Sequence, residues 1–223
     1  MNRFRLLGLL ALALLMAAFA GSVTIIPVDN PSFEDVSGSP PPFPDKCDGR
    51  GCTFRLDGHI PGWVGPTLSG LLRPSIGPTA PATFSSFAPG GGKISALSDE
   101  GTVAQTVGET VQEGLIYTLT VEIGHSRHHR FAGSADLLVG GTTFMARGTT
   151  PPQGEWSTFT ATFTGTTANA GDPITIQLNS SGKDGNFDNV NLTATPVPEP
   201  GTLGMLGTGR IGLAGLARRT LKL

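Results

Sequence analysis

Three sets of residues in this sequence have types and spacings that could do chemistry. The first is His125-Ser126-Arg127-His128-His129-Arg130, three imidazoles and two guanidinium groups in one short run. Such a run could meet a metal ion or an anionic sugar; the plain alternative is a polar loop joining two strands. On an extended chain neighbouring side chains point to opposite sides, so His128 and His129 would not share an ion. His125 and His129 would do so only on a helix or a tight loop. The second set is Cys47 and Cys52, the only cysteines of the chain. In an oxidising compartment so close a pair reads as a disulfide closing a short glycine-containing loop, whereas zinc would need two further ligands that do not stand nearby. The third set, Asp99, Glu100, Glu109, Glu113, Glu122 and Asp136, is scattered along the sequence. No Gly-x-Ser-x-Gly or His-Glu-x-x-His motif accompanies it, which argues for a non-catalytic body. The paired carboxylates of a glycosidase meet in space rather than in sequence, so a surface hydrolase acting on glycan stays open as an alternative.

A sugar-binding surface uses aromatic platforms, and Trp63, Tyr117 and Trp156 are the main candidates. Alternation places Tyr117 in the core. Trp63 follows the turn Ile60-Pro61-Gly62 and is the candidate to touch a ligand, although tryptophans of sandwiches are more often buried.

The elements that would position these residues are strands. With 15 Lys and Arg against 17 Asp and Glu, the chain carries no basic stripe, which speaks against a nucleic-acid partner. Its 32 glycines and 18 prolines break it into short segments. Residues 36–59 read as a long surface loop containing the cysteine staple, and 66–92 as mostly loop with one or two short strands. Beyond that the pattern sharpens. Lys93 to Ser98 and Thr102 to Val107 flank a turn at Asp99-Glu100-Gly101. Leu115, Tyr117, Leu119, Val121 and Ile123 alternate with half-polar neighbours over the clearest strand. Residues 135–146 read as a hairpin turning at Gly140-Gly141. Further alternation covers 157–163, 174–178 and 187–192. No helix-period run precedes the C-terminal tail, so the fold class is all-β, a sandwich or barrel.

The two ends carry addresses. Two arginines, an apolar stretch from Leu6 to Ala17 and the small residues of Ala18-Phe19-Ala20 make residues 1–20 a signal peptide, cut after Ala20 by signal peptidase. Residues 21–195 are then one domain. At the other end stand Val197-Pro198-Glu199-Pro200, a segment 201–217 without acidic residues, and Arg218 and Arg219. A helix over that segment would span roughly 26 Å, a little short of a hydrocarbon core of about 30 Å, with the basic end on the cytoplasmic side. Arg210 near its middle costs on the order of 2.5 to 3.5 kcal/mol, so anchoring is weak or transient.

This tail, residues 196–223, resembles the PEP-CTERM sorting signal of Gram-negative bacteria. The resemblance implies an exosortase as processing partner, passage through the inner membrane, and delivery to the cell surface or extracellular matrix. The body resembles galactose-binding-like jelly-roll domains, including carbohydrate-binding modules. It does so through Asn30-Pro31-Ser32-Phe33-Glu34, Pro61-Gly62-Trp63, Ala104 to Val107, Tyr117 to Leu119, Trp156 to Phe163 and Phe187-Asp188-Asn189-Val190. That resemblance implies a jelly-roll β-sandwich in which Glu34 and Asp188 lie side by side as carboxylate ligands of a structural calcium ion. The alternative is that Glu34 caps a turn and Asp188 accepts backbone hydrogen bonds. The resulting expectation is an exported, non-catalytic surface protein with polysaccharide as its ligand; a purely structural or adhesive matrix component is the further alternative.

Overall fold

A computed structural model describes residues 22–38, 41–47, 49 and 51–198. Thr24–Ala194 form one compact unit. The signal peptide with Ala20, the residues Glu199 and Pro200, the segment 201–217 with Arg210, and Arg218 and Arg219 lie outside the described residues. Val197 and Pro198 are exposed. Among the described residues no helix is long and apolar enough to cross a membrane.

Fourteen strands are found among the described residues. In order they are β1 (Thr24–Ile26), β2 (Asp45–Lys46), β3 (Thr53–Leu56), β4 (His59–Ile60), β5 (Trp63–Val64), β6 (Ser69–Arg73) and β7 (Ser95–Ser98). The longer ones follow: β8 (Gly101–Thr110), β9 (Leu115–His125), β10 (Gly133–Val139), β11 (Thr142–Met145), β12 (Glu155–Thr164), β13 (Pro173–Ser180) and β14 (Gly185–Pro196). One sheet runs β12-β9-β14-β7-β6-β3-β2 with β1 also on β14, and the other runs β11-β10-β13-β8-β5-β4. The expected all-β jelly-roll sandwich is the fold observed.

Period-two alternation explains the core. Leu119, Val121 and Ile123 of β9 face Leu137 of β10 and Ile174, Ile176 and Leu178 of β13, all fully buried. Each such side chain is worth roughly 1.5–3 kcal/mol on leaving water. Tyr117 also lies in this core, stacked on Phe163 with ring centroids 4.7 Å apart, and its hydroxyl accepts the Gln112 amide at 2.7 Å. The hairpin β10–β11 turns at Gly140 and Gly141, whose φ angles of 53° and 80° suit a primed turn that matches strand twist.

The segment expected to be one long loop, 36–59, differs. It holds β2, β3 and the start of β4, because Cys47 is bonded to Cys52 and the Cys47 amide donates to the Cys52 carbonyl at 3.1 Å, closing a hairpin that lies on β6. In 66–92, β6 is the strand observed.

Candidate functional site

β6 and β7 are apolar at consecutive positions, which means that both of their faces are covered. Leu71 and Ala96 enter the core between the sheets, while Leu72 and Leu97 point to the outer face of the first sheet and join a separate buried cluster with Phe84 and Cys52. Phe54, Leu56 and Trp156 pack against that cluster. Trp156 lies against Phe84 with centroids 4.6 Å apart, and its indole N–H donates to the Ser86 carbonyl at 3.2 Å.

Over this face lies the segment 77–86, and Arg127 fastens it. The guanidinium donates to the carbonyls of Gly77, Pro78 and Ala82 and to the Ser85 hydroxyl. His128 adds a contact from Nε2 to the Pro81 carbonyl at 3.1 Å. The polar run after β9 is thus a strand-connecting loop with a mechanical task, holding down the cover.

Between cover, disulfide hairpin and sheet a half-open cavity of about 340 Å³ remains. Phe54, Leu56, Leu72 and Leu97 give it apolar walls, and the Cys47–Cys52 disulfide closes one side. Lys46, Lys183, His128 and His129 line it with Asp99 and Asp184. The aspartates are partly occupied: Asp99 Oδ1 accepts the Asp184 amide at 2.8 Å, and Asp184 accepts from Asn186.

The sequence candidates separate here. Because residues 127–129 are bent rather than extended, both His128 and His129 reach the same cavity, which alternation along an extended chain would forbid. His125 does not join them. Its Nδ1 lies 2.9 Å from the Pro151 carbonyl and its ring packs on the edge of Phe131, 5.7 Å between centroids. Trp63 is 6% exposed, packs on Phe33, and donates its indole N–H to the Asp29 carbonyl at 3.0 Å, so the sandwich interior holds it and no face is offered to a ligand. Sequence reasoning missed the apolar walls and both lysines. The paired apolar residues Leu71-Leu72 and Ala96-Leu97 were the available signal for the walls; Lys183 had none.

A second arrangement surrounds Asp188 on β14. The Val190 amide donates to the Pro31 carbonyl, tying the last strand to the turn built by Asn30, and this brings Glu34 up to Asp188. The backbone of Gly91-Gly92 passes so close that a Cβ on Gly91 would collide with the Asp188 carboxylate and one on Gly92 with that of Glu34. Glu34 Oε1 accepts the amides of Lys93 and Ile94, and Asp188 Oδ1 accepts that of Asn189 at 2.7 Å. Burial pushes the Asp188 carboxyl up to about 7, against the pull of the Asn189 and Gly92 amides, with the charges of Glu34 and Glu122 pushing the same way as burial. The main-chain groups at both carboxylates are thus amide donors, as in the alternative reading of Glu34 and Asp188, and a hard cation would have the two carboxylates themselves as its oxygen ligands. Among the described residues no three His, Cys, Asp or Glu side chains form a metal cluster.

A family model described as HpiC1 cyclase matches residues 24–193, and the PEP-CTERM protein-sorting motif matches residues 196–222. No curated protein matches the chain. A cyclase from Fischerella sp. TAU, solved in complex with 4-(1H-indol-3-yl)butan-2-one, is similar at 22% identity and a TM-score of 0.59, over 79% of this chain and 100% of that one. The CBM22-2 xylan-binding domain of Paenibacillus barcinonensis Xyn10C is similar at 13% identity and a TM-score of 0.41, over 66% and 99%. The likeness to the Fischerella protein shows the fold.

Proposed function

The chain belongs to the HpiC1-like family, and from that membership and its C-terminal PEP-CTERM motif we propose an exported envelope protein that binds a glycan of the surface or matrix in the cavity on its covered face. The motif directs export and sorting to the cell envelope through an exosortase. Binding without catalysis is our reading of the body. The observation that carries it is the cavity: its size falls within the range of small-ligand sites, and it combines apolar walls with a few polar groups. A pyranose ring has the same two-sided character, with C–H faces and a hydroxyl rim.

Calcium completes this reading. Glu34 and Asp188 would hold it, and bound calcium would pin the Asn30 turn to β14 and to the residues that lead into β7. It neutralises charge in a site that lies apart from the cavity's lining residues.

Electrophoresis of the full chain through gels containing the host's exopolysaccharide tests the binding. Retardation supports it, and migration equal to that in plain gels removes it.

One observation favours a second reading of the same cavity. The family's description is that of a cyclase, and Asp99, Asp184, His128 and His129 are titratable groups able to move protons there. A catalytic cavity would take the indole ketone found in the Fischerella cyclase. Heat on titration with that compound, competing with glycan, would favour the enzyme; absence of heat would favour the binding protein.

A further inference from the structure

We propose that this cavity takes the end of a neutral glycan, a chain terminus or the tip of a side branch, and not a stretch from a chain's interior. The inference rests on the glycan reading above and narrows it to a substrate class.

The outline of the cavity decides between end and interior. Its floor is the outer face of β3, β6 and β7, formed by Phe54, Leu56, Leu72 and Leu97. In that floor Thr53 pairs with Arg73 and Leu56 with Gly70, a run of about 10 Å at roughly 3.3 Å per residue. A wall stands at each end of it. At the Arg73 end are the Cys47–Cys52 disulfide, just before β3, and Thr83, whose amide donates to the Ser75 carbonyl at 3.0 Å just after β6. At the Gly70 end Ser69 pairs with Ser98 and Ser98 with Gly185, so Asp99 and Asp184 meet there, the Asp184 amide donating to Asp99 Oδ1 at 2.8 Å. Across the strands, toward β9, Phe84 closes the floor by packing with Leu72 and Leu97 and lying against Gly124, where a Cβ would collide with its ring. Among the described residues this leaves the β2 edge, beside Lys46, as the approach. A chain bound by its interior has to enter a site and leave it again; a blind recess admits a terminus alone.

The charges on the lining decide between neutral and ionic. Lys46 and Lys183 stand with Asp99 and Asp184, two cations with two anions, so the formal charge of the lining is zero with neutral histidines and no ion is favoured. His128 is already engaged at the Pro81 carbonyl, 3.1 Å away. What the rim offers is donors and acceptors together: ammonium groups donate, carboxylate oxygens accept, and a sugar hydroxyl does both. Beneath them the four apolar side chains of the floor match the C–H face of a ring.

Calorimetric titration of the full chain with the host's exopolysaccharide, intact and cut by partial acid hydrolysis into fragments of decreasing mean length, tests this; methylation analysis counts the chain ends. Sites per gram should rise in direct proportion to the ends, while affinity per end stays level. That affinity should change by less than about twofold between about 0.01 and 1 M salt, although the screening length shrinks from about 30 to about 3 Å. Imidazole resonances of His128 and His129 should shift with the shortest fragments. Sites per gram that ignore fragment length overturn the end reading and leave the glycan site standing. A greater loss of affinity over that salt range overturns the neutral class. End-proportional heat without the imidazole shifts overturns the assignment to this cavity. No heat with the intact polymer or any fragment overturns the glycan site itself.

Discussion

The outer faces of the two sheets are made from similar strands and have opposite fates. That of the six-stranded sheet is open and carries its own hydrogen bonds: Thr106 and Thr175 share one of 2.8 Å, Thr102 donates to Asn179 at 2.7 Å, and Asn179 donates to Asp136 Oδ2 at 2.7 Å, which leaves Asp136 Oδ1 without a partner. That of the eight-stranded sheet is covered by loops. Phe84, Leu72 and Leu97 are 0%, 2% and 4% exposed there, and Glu122 and Asp188 are buried on the same sheet. A hydroxyl ladder in water needs no partner, so the open face is a finished surface. Covering a sheet with loops cannot fill every gap, and what remains on the covered face is a cavity with charged walls and the buried Asp188 carboxylate beside Glu34. The difference teaches that, on the proposed reading, recognition comes from how loops are held over a sheet rather than from the strands themselves.

The comparison can be broken first at Phe84. If the covered face is a true second core, Phe84→Ala should cost about 3–5 kcal/mol in a denaturant titration. A cost under about 1 kcal/mol would make the cover a loose flap.

Next in size is the linkage between acid and ion. Without a divalent ion, Asp188 gains its proton with a midpoint of about 7, well above the ordinary 3.8. The folded chain then binds the proton more tightly than the unfolded chain does, so this contribution to stability is full below about pH 4 and is lost as pH rises through 7. At about 1.4 kcal/mol for each unit, the loss reaches at most about 4 kcal/mol. Calcium must displace that proton, so its affinity should rise with pH up to about 7 and its presence should flatten the slope. Melting with chelator and with calcium at pH 4.5 and 8 checks this: chelation should lower the midpoint at pH 8 and change little at pH 4.5. Equal melting at pH 8 with and without calcium would remove the ion.

The disulfide comes third. Opening the short loop by Cys47→Ser with Cys52→Ser should cost about 2 kcal/mol by the chain-entropy estimate and weaken ligand binding, because the hairpin is a cavity wall. Unchanged affinity would separate the wall from the site. Smallest is Thr106→Val on the open face, expected within about 0.5 kcal/mol and without effect on binding.

Much of the fold was legible because its long strands alternate strictly. β9, β12 and β13 show their buried faces in the order of their residues, and the glycine pair after β10 marks its hairpin. The pairing of Glu34 with Asp188 was reachable through motif resemblance, since the Asn30 turn and the middle of β14 meet through the Val190 amide. The cavity was not legible. It depends on β2 and β3 forming within an apparent loop, on a bend that turns His128 and His129 the same way, and on Arg127 gripping carbonyls about fifty residues away in sequence. Trp63 misled for a related reason. A tryptophan after a turn looks exposed until the carbonyl that takes its N–H is known.

The central claim is that ligand recognition belongs to the covered face. Hydrogen–deuterium exchange of the full chain, read by mass spectrometry with and without the host's exopolysaccharide, tests it most directly. The account predicts slowed exchange at 46–56, 128–129 and 183–184 and none at 102–110 or 173–179. Protection confined to the threonine ladder of β8 and β13 would contradict it.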